Sequence, residues 1–289
     1  MRVQIGLATP VVTAFPGTFA PWERTAGIEQ ISRLAQVADD LGYHHLTCSE
    51  HVAVPSAIVD ERGGTYWDPL ATLSFLAART SWIRLFTKVL VLGYHHPVAL
   101  AKRYGTLDRI SAGRLMLGVG VGSLREEFEL LGVPFEDRGA RADDALPALR
   151  AALAGPTPSY KGDYVSFDGI TVDPCAVQQQ VPLLVGGRTL RSLRRAVTSA
   201  DGWVPFALEP PEVRGMLDRV ELPAGFEVVL TTKPLDPGRD RGSILDDLGE
   251  LTAAGATVIS ATIHSLSSAH FAEQLQALAD LTGLGRAAP

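Results

Sequence analysis

Short apolar runs and stretches of helical periodicity alternate along most of the chain. Apolar residues from Ile28 to Leu41 recur three and four positions apart, and Gly42 follows as a helix stop. Runs of branched apolar residues lie between such segments and are typical of strands buried on both faces. This pattern predicts eight strands, at residues 3–7, 45–49, 83–92, 115–119, 182–185, 202–205, 226–231 and 257–264.

A helix is predicted after nearly every strand. The helical segments span residues 27–41, 97–110, 123–131, 141–154, 189–199, 210–220, 243–254 and 268–281, and Asp68-Pro69 begins one more. Eight alternating units favour an α/β fold of the closed (β/α)8 TIM barrel type, with an open doubly wound sheet as the alternative. Residues 155–180 break the alternation and predict a hairpin insertion after the fourth strand unit, within a single domain of residues 1–289.

Composition and charge narrow the class of protein. Hydrophobic residues make up 46% of the 289 residues and charged residues only 20%, which suits a large core and suggests an oligomer interface. The net charge of −6 argues against nucleic acid or an anionic membrane as a partner. Cys48 and Cys175 are too few for a disulfide framework. Because no signal peptide and no apolar run of ~18 residues is found, we expect a cytoplasmic protein.

The fourth predicted strand ends in a glycine-rich turn. In a (β/α)8 barrel the chemistry lies at the carboxyl ends of the strands. Gly120, Val121 and Gly122 lead there into Ser123, which is placed to cap a helix, with Glu126 three residues later as in a capping box. Bare N–H groups in such a turn can bind an anion, but a turn without a ligand fits the glycines equally well.

A second turn of this kind ends the fifth predicted strand. Val185, Gly186 and Gly187 precede Arg188, and Thr189 follows as a helix N-cap. Backbone N–H groups, a helix N-terminus and a guanidinium together suit a phosphate, and the alternative is an ordinary cap beside a surface arginine. Two such turns on one barrel face favour anion binding.

Glu50 and His51 follow the second predicted strand. A carboxylate beside an imidazole can serve as a general acid and base, or it can be a pair that caps a loop. His95 and His96 have no further ligands at metal-binding spacing, so we predict no metal site. Cys48 is predicted to be a small core residue.

Several segments occur together in the order of one known family. They are residues 38–43 leading into 49–51, then 68–70, 101–108, 113–115, 117–122 with 126–128, and 185–188 before 200–203. This succession, over roughly residues 1–205, resembles the bacterial luciferase-like flavoprotein family. It is most similar to the branch that uses the deazaflavin coenzyme F420. Beyond Pro205 the resemblance is one of fold only.

The resemblance implies a barrel, usually in a homodimer, with the cofactor ring at the carboxyl ends of the strands. Glu50 and His51 would be the catalytic pair near that ring. A bulge, often with a non-proline cis peptide, would support the ring at Thr87, Lys88 and Val89. The cofactor tail and its phosphate would be held by the two glycine-rich turns, at Gly120, Val121, Gly122, Ser123, Val185, Gly186, Gly187 and Arg188.

Two residues depart from the family pattern. Lys88 stands where small residues are usual, so its ammonium changes the surroundings of the ring or points away from it. Ser123 stands where the sugar-phosphate dehydrogenases of this family carry a glutamate, which argues against that reaction.

Three functions follow as hypotheses. The first is hydride transfer between F420 and a small organic substrate, with His51 as proton donor or acceptor. The second is an FMN-dependent monooxygenase that uses reduced flavin and oxygen. The third is a barrel that binds flavin without turnover. The unusual Lys88 is the residue that supports this hypothesis.

Overall fold

The computed structural model describes residues 3–285 and contains a closed barrel of eight parallel strands. The barrel strands are β1 (Gln4–Leu7), β2 (His45–Cys48), β3 (Arg84–Val91), β4 (Leu115–Gly120), β7 (Leu183–Gly186), β8 (Gly202–Val204), β9 (Glu227–Leu235) and β10 (Val258–Ile263), and the hairpin strands are β5 (Tyr160–Lys161) and β6 (Ser166–Phe167). The order around the barrel is β1–β2–β3–β4–β7–β8–β9–β10. The predicted TIM barrel with its hairpin insertion is therefore confirmed.

The helices lie outside the barrel and cover its strands. They are α1 (Ile28–Leu41), α2 (Val59–Arg62), α3 (Pro69–Ala77), α4 (Pro97–Ile110), α5 (Arg125–Leu131), α6 (Arg138–Leu153), α7 (Leu190–Ser199), α8 (Pro210–Leu217), α9 (Arg241–Ala253) and α10 (Ser268–Thr282). The cap at Asp68 is confirmed, because its carboxylate accepts a hydrogen bond from the N–H of Ala71 at 2.7 Å. None of the helices in residues 3–285 is long and apolar enough to span a membrane.

Two helix starts near the fourth strand differ from the prediction. Gly122 adopts φ +79, so the chain turns there and α5 begins only at Arg125; Ser123 does not cap it. The next helix, α6, begins at Arg138 rather than at residue 141. As a result, Arg138 stands in the first turn of a helix at the barrel mouth, where the sequence pattern predicts a loop.

The hairpin of β5 and β6 is held to the barrel by one carboxylate. Asp144 on α6 accepts hydrogen bonds from the hydroxyl of Tyr160 at 2.8 Å and from the N–H groups of Tyr164 and Val165 at 2.9 and 2.8 Å. These contacts fix the hairpin on the outer side of α6.

The barrel interior is closed at its amino end. One side chain from each of six strands forms a cluster inside the barrel: Phe86, Met116, Leu184, Val204, Val229 and Val258. His45 at the start of β2 is fully buried beside them, and its Nε2 lies 2.7 Å from the hydroxyl of Ser260. Burial lowers the pKa of His45, which favours its neutral imidazole in the core. The open end of the barrel is therefore the carboxyl end.

Candidate active site

A groove of about 690 Å³ crosses the carboxyl ends of β2, β3, β4 and β7. We call it the arginine groove, because arginines line the end that is farther from the barrel axis. Its lining includes Glu50, His51, Arg62, Tyr66, Lys88, Val89, Gly120, Val121, Gly122, Ser123, Arg138, Gly186, Gly187, Arg188 and Arg191. Both glycine-rich turns and the Glu50–His51 pair thus meet in one cavity.

The wall of the groove nearest the barrel axis is a bulge in β3. The peptide bond between Lys88 and Val89 is cis, and the register with β4 shifts between Thr87 and Leu90. The carbonyl of Lys88 accepts a hydrogen bond from the hydroxyl of Ser49 at 2.8 Å. The family resemblance of the sequence predicts a bulge of this kind at these residues.

The glycines of the two turns allow Val89 to come close. A Cβ atom on Gly120 would lie 3.0 Å from one methyl of Val89, and a Cβ on Gly186 would lie 2.9 Å from the other. Close packing against the bulge therefore explains these two glycines without a ligand. An anion would therefore be bound by other groups of the groove.

His51 is oriented by a buried carboxylate on α5. Its Nδ1 lies 2.6 Å from Oε2 of Glu127, whose side chain is only 1% exposed. The other oxygen of Glu127 accepts hydrogen bonds from the N–H groups of Val52 and Ala53, and Tyr94 donates its hydroxyl to Oε2. Although burial raises the pKa of Glu127, its hydrogen bond with His51 and the attraction of that imidazole lower it overall.

The contact with Glu127 fixes the tautomer of His51. An ionised carboxylate only accepts hydrogen bonds, so the proton of the neutral imidazole lies on Nδ1. Nε2 is then free to accept a proton from, or return one to, a molecule in the groove. The ring of Tyr66 packs against the imidazole with centroids 4.5 Å apart and limits its movement.

Glu50 is turned away from His51. One oxygen of its carboxylate lies 2.7 Å from Nε2 of His95, and the other accepts the N–H of Val91 at 2.7 Å. Glu50 therefore connects the end of β2 to the end of β3 and to the loop that follows. It stabilises the backbone that follows the bulge.

The far end of the groove is cationic. Arg138 donates to the carbonyl of Gly122 at 3.0 Å, and Arg62 lies 3.4 Å from the hydroxyl of Ser123. Within residues 3–285, neither these two guanidinium groups nor that of Arg188 forms an ion pair. Three positive charges are thus left without a carboxylate partner in one cavity.

Backbone donors add to this cationic end. In the described part of the chain, the N–H groups of Gly122, Ser123 and Arg188 donate no hydrogen bond. Thr189 caps α7 as predicted, with its hydroxyl accepting from the N–H of Ser192 at 3.2 Å. These donors therefore fit an anionic ligand. A ligand with several anionic groups fits them better than a ligand with a single anionic group.

The family assignment comes from sequence comparison. The profile of the luciferase-like monooxygenase family matches residues 9–226, which include every residue named in the arginine groove. This chain belongs to the luciferase-like monooxygenase family. An uncharacterized protein of Mycobacterium tuberculosis is 31% identical to it over 221 residues, covering 70% of this chain and 78% of that protein.

Solved structures with this luciferase-like fold differ in cofactor. The coenzyme F420-dependent tetrahydromethanopterin reductase of Methanopyrus kandleri has a TM-score of 0.72 and 16% identity, with 96% of this chain and 98% of that chain covered. A riboflavin lyase, solved with modified FMN and riboflavin, has a TM-score of 0.78 and 13% identity, with 99% and 93% covered. At these identities the likeness shows the fold alone.

A second cavity of the luciferase-like barrel lies beside the groove. It has a volume of about 520 Å³ and is bounded by the ends of β1, β9 and β10 and by the segment after β8. We call it the apolar cavity; its apolar lining includes Val12, Phe15, Pro205, Phe206, Leu208, Val213, Leu230, Leu251, Ile263 and Phe271. Five residues border both cavities: Thr13, Phe15, Ser49, Lys88 and Phe206.

Most of the predicted site residues line the groove, but Thr87 and Val185 are buried beneath it and do not. The prediction also omits the groups that orient and charge the site. Glu127 and Tyr94, which hold His51, come from α5 and from the loop after β3. Arg138 is missed because the start of α6 is placed too late. Arg191 and Arg195 follow Arg188 at helical spacing, and this periodicity is the one signal that points to a cationic face on α7.

Proposed function

We propose that this luciferase-like protein is an oxidoreductase that uses coenzyme F420 and acts on a small organic substrate. When bound, F420 supplies the deazaflavin ring that accepts or donates a hydride. The bulge of Thr87, Lys88 and Val89 would support that ring. The two turns and the arginines would hold the tail.

The observation that carries this proposal is the set of unpaired guanidinium groups in the arginine groove. Arg62, Arg138 and Arg188 have no carboxylate partner within residues 3–285. The tail of F420 carries a phosphate and glutamate carboxylates, whereas FMN ends in one phosphate. Because each guanidinium is best matched by its own anionic group, the longer polyanionic tail uses this groove more fully.

His51 would move the proton that accompanies hydride transfer. Its Nδ1 is held by Glu127 at 2.6 Å, so Nε2 is the nitrogen available to the groove. Glu50, which was predicted as the second catalytic residue, would act by holding the backbone around the bulge through His95 and Val91. In this proposal Glu50 is a positioning residue.

We also propose that the protein is a homodimer. The family resemblance supports this proposal, and Trp82 (55% exposed) and Ile110 (60% exposed) are apolar side chains that such an interface would cover. Light scattering of the purified protein measures its mass directly.

The test is a pair of titrations of the purified protein, with F420 and with FMN, followed by calorimetry. F420 is expected to bind more tightly. Arg138→Ala and Arg188→Ala should each weaken F420 binding roughly 10- to 100-fold, because a hydrogen bond to a charged group contributes ~1.5–3 kcal/mol. Arg33→Ala is the matched control, since Arg33 is exposed on α1 outside the groove; it should leave the affinity unchanged.

The other outcomes separate the alternatives. Tight binding of FMN without binding of F420 would replace the proposal with the flavin monooxygenase hypothesis. Binding of F420 with no hydride transfer to any member of a substrate panel of unsaturated carbonyl compounds and imines would support a barrel without turnover.

A further inference from the structure

Lys88 spans the barrel at its open end. It belongs to β3, and its Nζ lies 2.6 Å from the hydroxyl of Thr231 on β9. These two strands face each other, since they are four strands apart in either direction around the barrel. The side chain therefore crosses the barrel axis, and its ammonium ends on the side opposite the bulge.

The ammonium is directed toward the apolar cavity. Thr231 lines this cavity but not the arginine groove. Six further hydroxyl-bearing residues line the same cavity: Thr9, Thr13, Thr18, Thr47, Ser49 and Thr262. The cavity thus combines apolar walls with hydroxyl groups and the ammonium of Lys88.

No carboxylate in the described part of the chain pairs with this ammonium. Within residues 3–285 Lys88 forms no ion pair. Glu23 also lines the cavity, but its carboxylate accepts the N–H groups of Val11 and Ala20 at 2.6 and 2.8 Å. Burial lowers the pKa of Lys88 to about 8, so most molecules carry the positive charge at neutral pH.

An unpaired ammonium in an apolar cavity is complementary to an anion. Removing a charge from water costs free energy that only an opposite charge with good hydrogen bonds recovers. A carboxylate can accept from the ammonium and from the hydroxyl of Thr231 at once. An attached hydrocarbon portion would then lie against Leu230 and Val213.

We propose that the apolar cavity binds a small aliphatic or alicyclic carboxylate, and that Lys88 Nζ and Thr231 Oγ1 bind its carboxylate group. This inference deepens the proposed function, because the cavity adjoins the arginine groove and would hold the substrate. It names an apolar monocarboxylate as the substrate class.

The test uses three probes with the same chain and different head groups: octanoate, octanol and octylamine. Binding to the full-length protein is measured by calorimetry at neutral pH, without cofactor. The wild type should bind octanoate at least roughly 10-fold more tightly than octanol, which is the contribution of one charge-assisted hydrogen bond, and should not bind octylamine.

Lys88→Met keeps the length of the side chain and removes its charge. This variant should bind octanoate no more tightly than octanol. Thr231→Val should reduce the preference for octanoate to an intermediate value. Lys161→Met is the matched control, because Lys161 is exposed on the hairpin outside the cavity; it should bind all three probes as the wild type does.

Two results would overturn the inference. One is equal binding of octanoate and octanol by the wild type. The other is a preference for octanoate that survives in a folded Lys88→Met protein, as judged by circular dichroism. Titration with F420 distinguishes the two proposals, since octanoate binding that needs Lys88 in a protein that does not bind F420 leaves this inference intact and rejects the proposed cofactor.

Discussion

The arginine groove and the apolar cavity share Thr13, Phe15, Ser49, Lys88 and Phe206 but differ in their charge and in the rest of their lining. The groove is cationic and rich in backbone donors, and all its named residues lie within the segment that matches the family profile, residues 9–226. The apolar cavity is walled by hydrocarbon, and Leu230, Leu251, Ile263 and Phe271 lie beyond that segment. In the two proposals above, the groove would hold the cofactor and the cavity would hold the substrate.

The largest effect is expected from removing the imidazole of His51 in the arginine groove. His51→Ala should lower turnover roughly 10²- to 10⁴-fold, the usual contribution of a positioned acid or base, while the affinity for F420 changes little. His264→Ala is the control, because His264 is an exposed histidine outside the groove. Steady-state kinetics measure both variants, and unchanged turnover in His51→Ala would remove His51 from the mechanism.

Glu127→Gln tests whether turnover depends on the orientation of His51. An amide cannot accept hydrogen bonds at both former oxygen positions, so the imidazole loses its fixed orientation or the loop at Val52 loses a contact. Turnover should fall at least about 10-fold, less than in His51→Ala, with the cofactor affinity retained. Equal turnover in Glu127→Gln and wild type would show that the carboxylate only holds the loop at Val52 and does not act through His51.

The wall of the apolar cavity depends on one buried carboxylate. Glu23→Gln leaves one of the two N–H donors, from Val11 or Ala20, without an acceptor. The free energy of unfolding should fall by ~1–3 kcal/mol, and octanoate should bind more weakly, whereas F420 binding through the groove should be kept. Glu221→Gln, an exposed position in the turn before β9, is the control in urea titrations.

The smallest effect concerns the protonation of Lys88. Burial lowers its pKa from 10.5 to about 8, so between these pH values the unfolded chain binds more protons than the folded one. The stability of the wild type relative to Lys88→Met should therefore rise with pH across this window and stay constant below pH 8. Urea unfolding at several pH values measures this difference. A difference that falls as pH rises would mean that an anion of the chain stabilises the ammonium.

The sequence predicts the barrel well because its pattern is repeated eight times. Each apolar strand is followed by an amphipathic helix. The errors fall at the ends of elements; for example, β9 continues through Pro234, whereas the pattern predicts its end at residue 231. The pairing of β9 with β10 continues there, with a register shift after Ser260. Pairing between two strands leaves no signal in the sequence of either strand alone.

Only part of the site can be predicted from the sequence, because only features within a single strand end leave a local signal. Glycines and a histidine at strand ends can be recognised one strand at a time. The contact of His51 with Glu127 joins residues 76 positions apart, and that of Lys88 with Thr231 joins residues 143 positions apart. Such pairs depend on the closure of the barrel, so the direction of the Lys88 side chain could not be read from the sequence.

A crystal structure of the protein with F420 tests the division of the two cavities most directly. We expect the tail to lie along Arg62, Arg138 and Arg188 and the ring to lie against the peptide between Lys88 and Val89. We also expect the apolar cavity to be left open toward the ring. A tail bound in the apolar cavity, or a groove that holds no part of the cofactor, would contradict these expectations.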